Sequence, residues 1–387
     1  MAALIGGHRT PAIDAEGLAA IALASVPELG PGGILALVET HGSATSVLDA
    51  ARRGRLNREL SPRLRSLASR ARTGLAHQVT SDLPAGSSVV PYTSPRYPSS
   101  LRRLPRPPAV LYALGPLALD QPRTVTVVGT RAATEYGRRM ARRIGSELVE
   151  AGWRVASGIA RGIDTEAHRG ALEAGGETVG VPGCGLGHVY PLSNRSLYRE
   201  IAERGLLMTE FPPAEGPRRE HFPRRNRILA GLARAVVVVQ AGIRSGALIT
   251  VDRATEIGVE VLAVPGPAGL PASRGVNALL RDGAGLATCA ADVLSLLGEA
   301  PGAYTGSVRA AVGSGEHEVE NLPLFPPDES RPEDHRLLSV LADGPAHVDT
   351  LSTESRLPIP ATLARLGRLE LEGRVRGLPG GRYETVP

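Results

Sequence analysis

Five stretches of the sequence combine arginine with hydroxyl or amide side chains, and four of them also contain glycine; these are groups that proteins use to hold phosphate. Glycine lets an anion approach the main chain closely, and an arginine donates paired, charge-assisted hydrogen bonds to it. The chain has 44 basic residues and none is a lysine, so every such contact would come from a guanidinium group. We therefore expect a phosphate-binding surface built from residues 129–131, 157–164, 183–195, 222–227 and 241–250.

Short apolar runs alternate with amphipathic stretches between about residues 110 and 298. Several runs are continuous in apolar residues and most end in Gly or Pro, which is typical of parallel strands covered on both faces. The carboxyl ends of such strands lie along one edge of a sheet, so the five stretches should meet there as a single rim. Strands are predicted at residues 124–129, 154–158, 178–183, 206–211, 235–240 and 260–266.

The chain has 387 residues, enough for two or three domains. Residues 1–75 predict a small N-terminal helical domain of helix-hairpin-helix or SAM-like type. Its glycine-rich segment, residues 26–34, could offer N–H groups to a phosphate or could be a plain turn. Residues 76–298 predict an extended Rossmann-like domain that begins with an irregular arm rich in Pro and Ser, up to about residue 110. Residues 299–332 are expected to be a linker, and residues 333–387 a winged-helix-like domain of three helices and a hairpin.

The fold class expected from this order is α/β. It is an extended Rossmann-like parallel sheet with helices on both faces, flanked by the N-terminal helical and C-terminal winged-helix-like domains.

Composition and missing motifs argue against several other classes of protein. Two widely spaced cysteines, Cys184 and Cys289, are no disulfide framework, and no stretch approaches a membrane span, so we expect a soluble, cytoplasmic protein. The formal charge of +5 and the pI near 9.6 favour an anionic partner. The sequence lacks G-x-G-x-x-G after its first strand, a P-loop and H-E-x-x-H, so no cofactor and no metal are expected.

Two pairs of residues could in principle support catalysis. Asp164 and His168 lie four residues apart on a predicted helix and could be an acid–base pair, or a cap beside a packed imidazole. Cys184 and His188 could be a nucleophile and its base, although the glycines between them favour a simple loop. We favour the structural interpretation of both pairs and predict that the protein is not an enzyme.

The sequence resembles a known family, the DNA-processing protein A family (DprA, also called Smf). The similarity covers roughly residues 90 to 290, in order and at family-like spacing. It rests on Val128-Gly129-Thr130-Arg131, on residues 157–164 with Ala167-His168, and on residues 222–227, 245–250 and 263–266, with the arm around Tyr97-Pro98 before them.

The resemblance implies a bacterial protein that binds single-stranded DNA and loads the RecA recombinase onto it. In that family this serves natural transformation and homologous recombination, and the Rossmann-like domain forms a homodimer. Carried over by position, the resemblance implies a DNA pocket of Arg131, Ser157, Gly158, Arg225, Asn226, Arg227, Ser245 and Gly246. The rim itself adds Gly129, Arg161 and Arg224 as DNA-binding candidates.

Two positions depart from the family pattern. Family members often have a lysine where this chain has Leu192, so we expect Arg195 to supply that DNA contact. Gln240 replaces the usual glutamate at the end of the fifth predicted strand, which puts any role of that charge in doubt. Aromatic residues make up only 3% of the chain, so recognition should be mainly of the phosphate backbone, with weak sequence preference.

Two other functions stay open on the sequence alone. A nucleotide-processing enzyme similar to phosphoribohydrolases could use the same rim, although residues 245–250 lack the glutamate of that signature. A regulator could instead bind duplex DNA through the C-terminal winged-helix-like domain.

Overall fold

The computed structural model describes residues 13–26, 28–58, 60–299, 332–342, 344–371 and 373–386. Contacts divide the chain into two compact units, with the boundary between Ser307 and Val308. Each unit has its own hydrophobic core. Apart from its two ends, the predicted linker 299–332 lies outside the described residues.

A nine-stranded sheet forms the centre of the first unit, in the order β1-β2-β6-β5-β4-β3-β7-β8-β9. Strands β3 to β9 are parallel to one another, whereas β1 and β2 extend the β6 edge as antiparallel strands. The strands are β1 Ser88–Pro91, β2 Val110–Leu114, β3 Thr124–Gly129, β4 Arg154–Ser157, β5 Thr178–Gly180, β6 Leu206–Thr209, β7 Ala235–Gln240, β8 Glu260–Ala263 and β9 Gly285–Leu286. The predicted Rossmann-like α/β fold is confirmed.

Twelve α-helices surround this sheet in the described part of the first unit. They are α1 Ala15–Ala24, α2 Pro31–His41, α3 Ala44–Arg52, α4 Pro62–Ala68, α5 Thr73–Ser81, α6 Glu135–Glu150, α7 Ile163–Glu173, α8 Arg195–Arg204, α9 His221–Leu232, α10 Leu248–Glu256, α11 Arg274–Arg281 and α12 Ala290–Leu296. Helices α6, α7 and α12 share one hydrophobic cluster with the sheet, and α9, α10 and α11 share another.

Strand β7 shows why this sheet needs helices on both faces. All six of its residues are buried, and the five apolar ones alternate between the two clusters. Val237 and Val239 pack with α6 and α7, while Val236 and Val238 pack with α9 and α10. A continuous apolar run is thus the expected sequence of a strand covered on both sides.

Helices α6 and α7 approach each other unusually closely because glycines line their contact. A Cβ on Gly170 would lie 1.9 Å from the main-chain oxygen of Arg142, and one on Gly145 would lie 2.4 Å from that of Ala167. This close packing fixes α7, and with it the loop that precedes α7 at the rim.

The segment predicted as an irregular arm is more regular than expected. β1 pairs with β2, Ser88 opposite Ala113 and Pro91 opposite Val110, and a 3-10 turn follows at Ser99–Arg103. The expectation failed because proline is tolerated at the end of an edge strand, where one side of the backbone needs no partner.

The N-terminal helices pack against the sheet through a third cluster, which also includes α8. Glu16 on α1 ties these parts together: its carboxylate accepts hydrogen bonds from the main chain of Ala44 and Thr45 and from the hydroxyl of Thr93. Burial raises the pKa of Glu16, but these bonds outweigh it, so the pKa lies below its ordinary value. The predicted boundary at residue 75 stays a prediction.

The second unit contains three helices and a three-stranded antiparallel sheet in the order β10-β12-β11. Its elements are α13 Pro332–Ala342, β10 Ala346–His347, α14 Val348–Ser355, α15 Ile359–Leu371, β11 Val375–Leu378 and β12 Arg382–Thr385. Leu337, Leu351 and Leu366 are fully buried in its core. This arrangement confirms the predicted winged helix.

Candidate nucleic-acid interface

The loops that follow β3 to β8 lie along one edge of the sheet. The chain runs from β3 through α6 to β4 on one side and returns through α9 to β7 on the other, so the connections diverge between β3 and β7. The main-chain N–H of Thr130 donates to the oxygen of Gln240 across this divide, at 2.7 Å. Such switch points are where open α/β sheets form ligand-binding crevices.

The Gln240 side chain holds the loop between β3 and α6. Its amide oxygen accepts from the main chain of Thr134 at 2.9 Å, and its amide nitrogen donates to the Thr134 hydroxyl at 2.9 Å. Thr134 in turn caps α6. Because Gln240 is buried and fully engaged, its amide positions the segment that carries Arg131.

The loop between β4 and α7 is held in a strained conformation. Ile159 has a φ of 55°, which is unusual for a β-branched residue, and its side chain is fully buried. The Asp164 carboxylate accepts the N–H groups of Gly158 and Ala160, and the Asn194 amide donates to the oxygen of Ile159 at 3.0 Å. Strain maintained by so many contacts is characteristic of binding sites.

Ser157 and Arg225 support this loop from beneath. The Ser157 hydroxyl is fully buried and donates to the oxygen of Val127 at 2.7 Å. Arg225 is 4% exposed and donates to the oxygens of Gly158, at 2.7 Å, and Val181. Burial lowers the pKa of Arg225 to about 10, so it remains a cation at neutral pH. Ser157 thus joins the end of β4 to β3, and Arg225 holds the ends of β4 and β5 in place.

Arg224 and Arg227 lie one helical turn apart and share one buried carboxylate. Both donate to the same oxygen of Glu210, at 2.9 and 2.6 Å. The Arg227 side chain is 14% exposed, whereas that of Arg224 is half-exposed. Asn226 points the other way and donates to the oxygen of Gly246 at 3.3 Å, which joins α9 to the loop after β7.

The remaining predicted residues present their polar groups to solvent. Arg131, Arg161, Arg195 and Gly246 are exposed, and Gly129 and Ser245 are partly exposed. Arg161 belongs to the loop after β4, Arg195 begins α8 at the end of the loop after β5, and Gly246 belongs to the loop after β7. The rim therefore brings the sequence-predicted residues together, with an exposed set above a buried supporting set.

Two aromatic rings lie at the rim, and the sequence did not predict a binding role for them. The Arg131 guanidinium lies 4.8 Å from the centre of the Phe222 ring, a cation–π distance, and the Tyr190 ring lies 5.6 Å from Phe222. Tyr190 is 40% exposed. A low aromatic content argued against stacking, but content says nothing about where the few rings lie.

Neither of the two possible catalytic pairs assembles. Asp164 binds main-chain amides, while His168 is buried against the Thr178 hydroxyl at 2.7 Å, and burial lowers its pKa to about 3. Cys184 is buried, which raises its pKa to about 11, and the His188 ring contacts the oxygen of Ala214.

Within the described residues, no group of His, Cys, Asp and Glu is placed to hold a metal ion. No helix in that part of the chain is long and apolar enough to cross a bilayer.

Comparisons with known proteins match both units. The family model described as DNA recombination-mediator protein A matches residues 88–298, and that of the DprA winged helix domain matches residues 323–381. Protein Smf of Synechocystis sp. is 35% identical over 311 residues, which cover 75% of this chain and 78% of that protein.

Two solved structures are also similar. The X-ray structure of DNA processing protein A from Streptococcus pneumoniae has a TM-score of 0.63 at 32% identity, covering 72% of this chain and 97% of that one. The DNA processing protein A of Helicobacter pylori, described for its single-stranded DNA binding mode, has a TM-score of 0.50 at 29% identity, covering 55% and 95%. The first family model spans over half of the chain, including β3 to β9 and every loop of the rim. The chain therefore belongs to the DNA recombination-mediator protein A family.

Proposed function

We propose that this protein binds single-stranded DNA along the rim and acts as a recombination mediator rather than as an enzyme. The observation that carries the proposal is that the rim consists of an exposed set of residues above a buried supporting set. Exposed Arg131 and Arg161 stand on loops and exposed Arg195 begins α8, and a buried network holds these segments fixed. Preorganised cations of this kind bind phosphate without first losing conformational freedom.

The rim favours a single strand over a duplex. Phe222 lies beside Arg131 and Tyr190 lies beside Phe222, so a base could contact a ring while its phosphate contacts a guanidinium group. In a duplex the bases are paired and stacked on one another, and they could not reach these rings. The single-strand binding described for the Helicobacter pylori relative supports this choice.

The same proposal includes the later steps of the family's role. The bound strand is handed to the RecA recombinase, in natural transformation or another route of homologous recombination, and the protein works as a homodimer through its Rossmann-like unit. The family's description as a recombination mediator supports this role. RecA assembly on single-stranded DNA should be faster with the protein than without it, and an unchanged rate would contradict the loading step.

The binding step is tested with Arg131→Ala and Arg195→Ala. Each variant should weaken binding of a mixed-sequence single strand about tenfold at low salt, because each removes a charge-assisted phosphate contact. The slope of log affinity against log salt concentration should flatten by about 0.7 per lost contact. Arg281→Ala, which removes an exposed arginine at the end of α11, is the control and should bind normally. Normal affinity of both rim variants would rule out the rim as the binding site.

A further inference from the structure

The N-terminal helices carry a concentrated positive charge that lies outside the rim. Residues 52–72, here called the basic segment, contain eight arginines and one acidic residue, Glu59. Its positive excess is therefore larger than the formal +5 of the whole chain. Seven of the eight arginines are exposed: Arg52, Arg53, Arg55, Arg58, Arg63, Arg70 and Arg72.

The basic segment has one side fixed to the core. Leu56, Leu60, Leu67 and Ala68 are buried in the cluster between the N-terminal helices and the sheet. Because the apolar side chains occupy the inner side, the exposed arginines project from the outer side of the segment. The charge is therefore presented as a surface of the folded unit.

These arginines differ from those on α6. There Arg139 pairs with Glu135 at 3.8 Å, and Arg142 pairs with Glu166 and Glu173. In the described part of the basic segment, the one ion pair joins Arg52 to Asp49 at 3.8 Å. Uncompensated cations at this density repel one another, so a bound polyanion would be stabilising here.

The N-terminal helices that carry the basic segment reach the rim just after α5. Leu83, just after α5, and Leu186, in the loop after β5, are buried in the same cluster. The main-chain oxygen of Asp82 lies 3.8 Å from the position of a Cβ on Gly187, three residues before Tyr190. A strand leaving the rim at Tyr190 would thus pass directly to the N-terminal helices.

The chemistry of the basic segment favours nucleic acid over other polyanions. Guanidinium forks match phosphate geometry, which suits a phosphodiester backbone. In its described residues, the segment exposes no aromatic ring and no large apolar side chain that could insert into a lipid surface. We infer that the basic segment is a second DNA-binding site, which holds the phosphates of a strand that runs off the rim past Gly187. The inference rests on the DNA binding proposed for the rim.

The test uses the triple variant Arg53→Gln/Arg55→Gln/Arg63→Gln in the full chain. Its affinity is compared on an oligonucleotide of about 8 nucleotides, the scale of one single-strand site, and on one of about 40 nucleotides. The triple variant should bind the short strand as the wild type does, which also shows that it is folded. On the long strand it should bind about tenfold more weakly at low salt, with a salt slope flatter by about 2.

A second triple variant controls for net charge. Arg123→Gln/Arg253→Gln/Arg281→Gln removes three exposed arginines from the first unit, at the start of β3 and near the ends of α10 and α11. It should keep wild-type affinity for both strands. Equal weakening by the two triple variants, or no weakening of the long strand by the first, would overturn the second site. Failure of the rim would instead appear as normal short-strand binding by Arg131→Ala, so the two failures are distinguishable.

Discussion

Burial separates arginines that are neighbours in the sequence. Arg225 is 4% exposed and donates to main-chain oxygens. The neighbouring Arg224 is half-exposed and pairs with Glu210. Residues one apart on a helix point about 100° from each other, so one faces the sheet and the other the rim surface. The sequence predicted that these residues gather at one edge. It could not tell a supporting arginine from a contacting one, because that depends on which face of α9 packs on the sheet.

At the residue scale, the position of Tyr190 predicts that it stacks on a base of the bound strand. Tyr190→Leu should weaken binding of a single strand about tenfold, since stacking on an aromatic ring contributes about 1–3 kcal/mol per base. The measurement is a titration with a normal strand and with an abasic strand of equal length. The abasic strand should bind the variant and the wild type equally, because it keeps its phosphates and has lost its bases.

Tyr190→Trp provides the matched control for this prediction. The indole should keep the stacking, and its fluorescence should be quenched by a normal strand and much less by an abasic one. The single native tryptophan, Trp153, is buried at 3% exposure and directly precedes β4, at the end of that strand opposite the rim loops. If Tyr190→Leu weakened the two strands equally, the ring would not be contacting bases.

At the element scale, the parallel part of the sheet could be predicted and its antiparallel edge could not. The six predicted strands begin at the residues where β3 to β8 begin, because continuous apolar runs bounded by glycine indicate buried strands clearly. β1 and β2 lie in a proline-rich stretch. β1 pairs with β2, and β2 joins the sheet through β6, which lies almost a hundred residues further along the sequence. β9 has only two residues, too few for any periodic pattern.

The contact between helix α7 and strand β5 predicts an acid-sensitive fold. His168 on α7 is buried against Thr178 of β5, and burial lowers its pKa from 6.5 to about 3. The unfolded chain therefore binds a proton below about pH 6.5 that the folded chain does not. The stability that comes from keeping His168 neutral in the folded chain is fully present above about pH 6.5. It is lost as the pH falls, by up to about 1.4 kcal/mol per pH unit.

Denaturant unfolding between pH 7 and pH 5 measures this effect. The free energy of unfolding of the wild type should fall more steeply over this range than that of His168→Gln, which cannot take up the proton. His77→Gln, which changes an exposed histidine on α5, should retain the wild-type slope. Identical slopes for all three proteins would show that His168 does not titrate differently in the two states.

At the scale of the whole molecule, each unit has a separate core, and the sequence showed this division by its change of pattern near residue 300. The rim lies entirely in the first unit, between β3 and α11. What the sequence could not show is how the N-terminal helices pack on the sheet, since the cluster that joins them draws residues from positions 19 to 207. The arginines of the basic segment can be counted in the sequence, but only that packing shows which of them are exposed.

Removal of residues 308–387 tests whether the second unit is needed for single-strand binding. In winged helices that read duplex DNA, the recognition helix supplies the cations that approach the groove. Here α15 directs Arg365 and Arg368 to Asp334, whose side chain is 4% exposed, so both stabilise the unit internally. The truncated chain should therefore bind a single strand within about twofold of the full chain, because the rim contacts that set the affinity are unchanged.

The truncated chain should also unfold cooperatively, since none of its hydrophobic clusters draws on the second unit in the described residues. Its thermal unfolding is the control that separates a lost binding site from a lost fold. A folded truncated chain that no longer bound any DNA would favour the regulator that acts through its winged helix. A truncated chain that bound single strands normally but no longer stimulated RecA assembly would instead place the contact with the recombinase in the second unit, and leave DNA binding to the first.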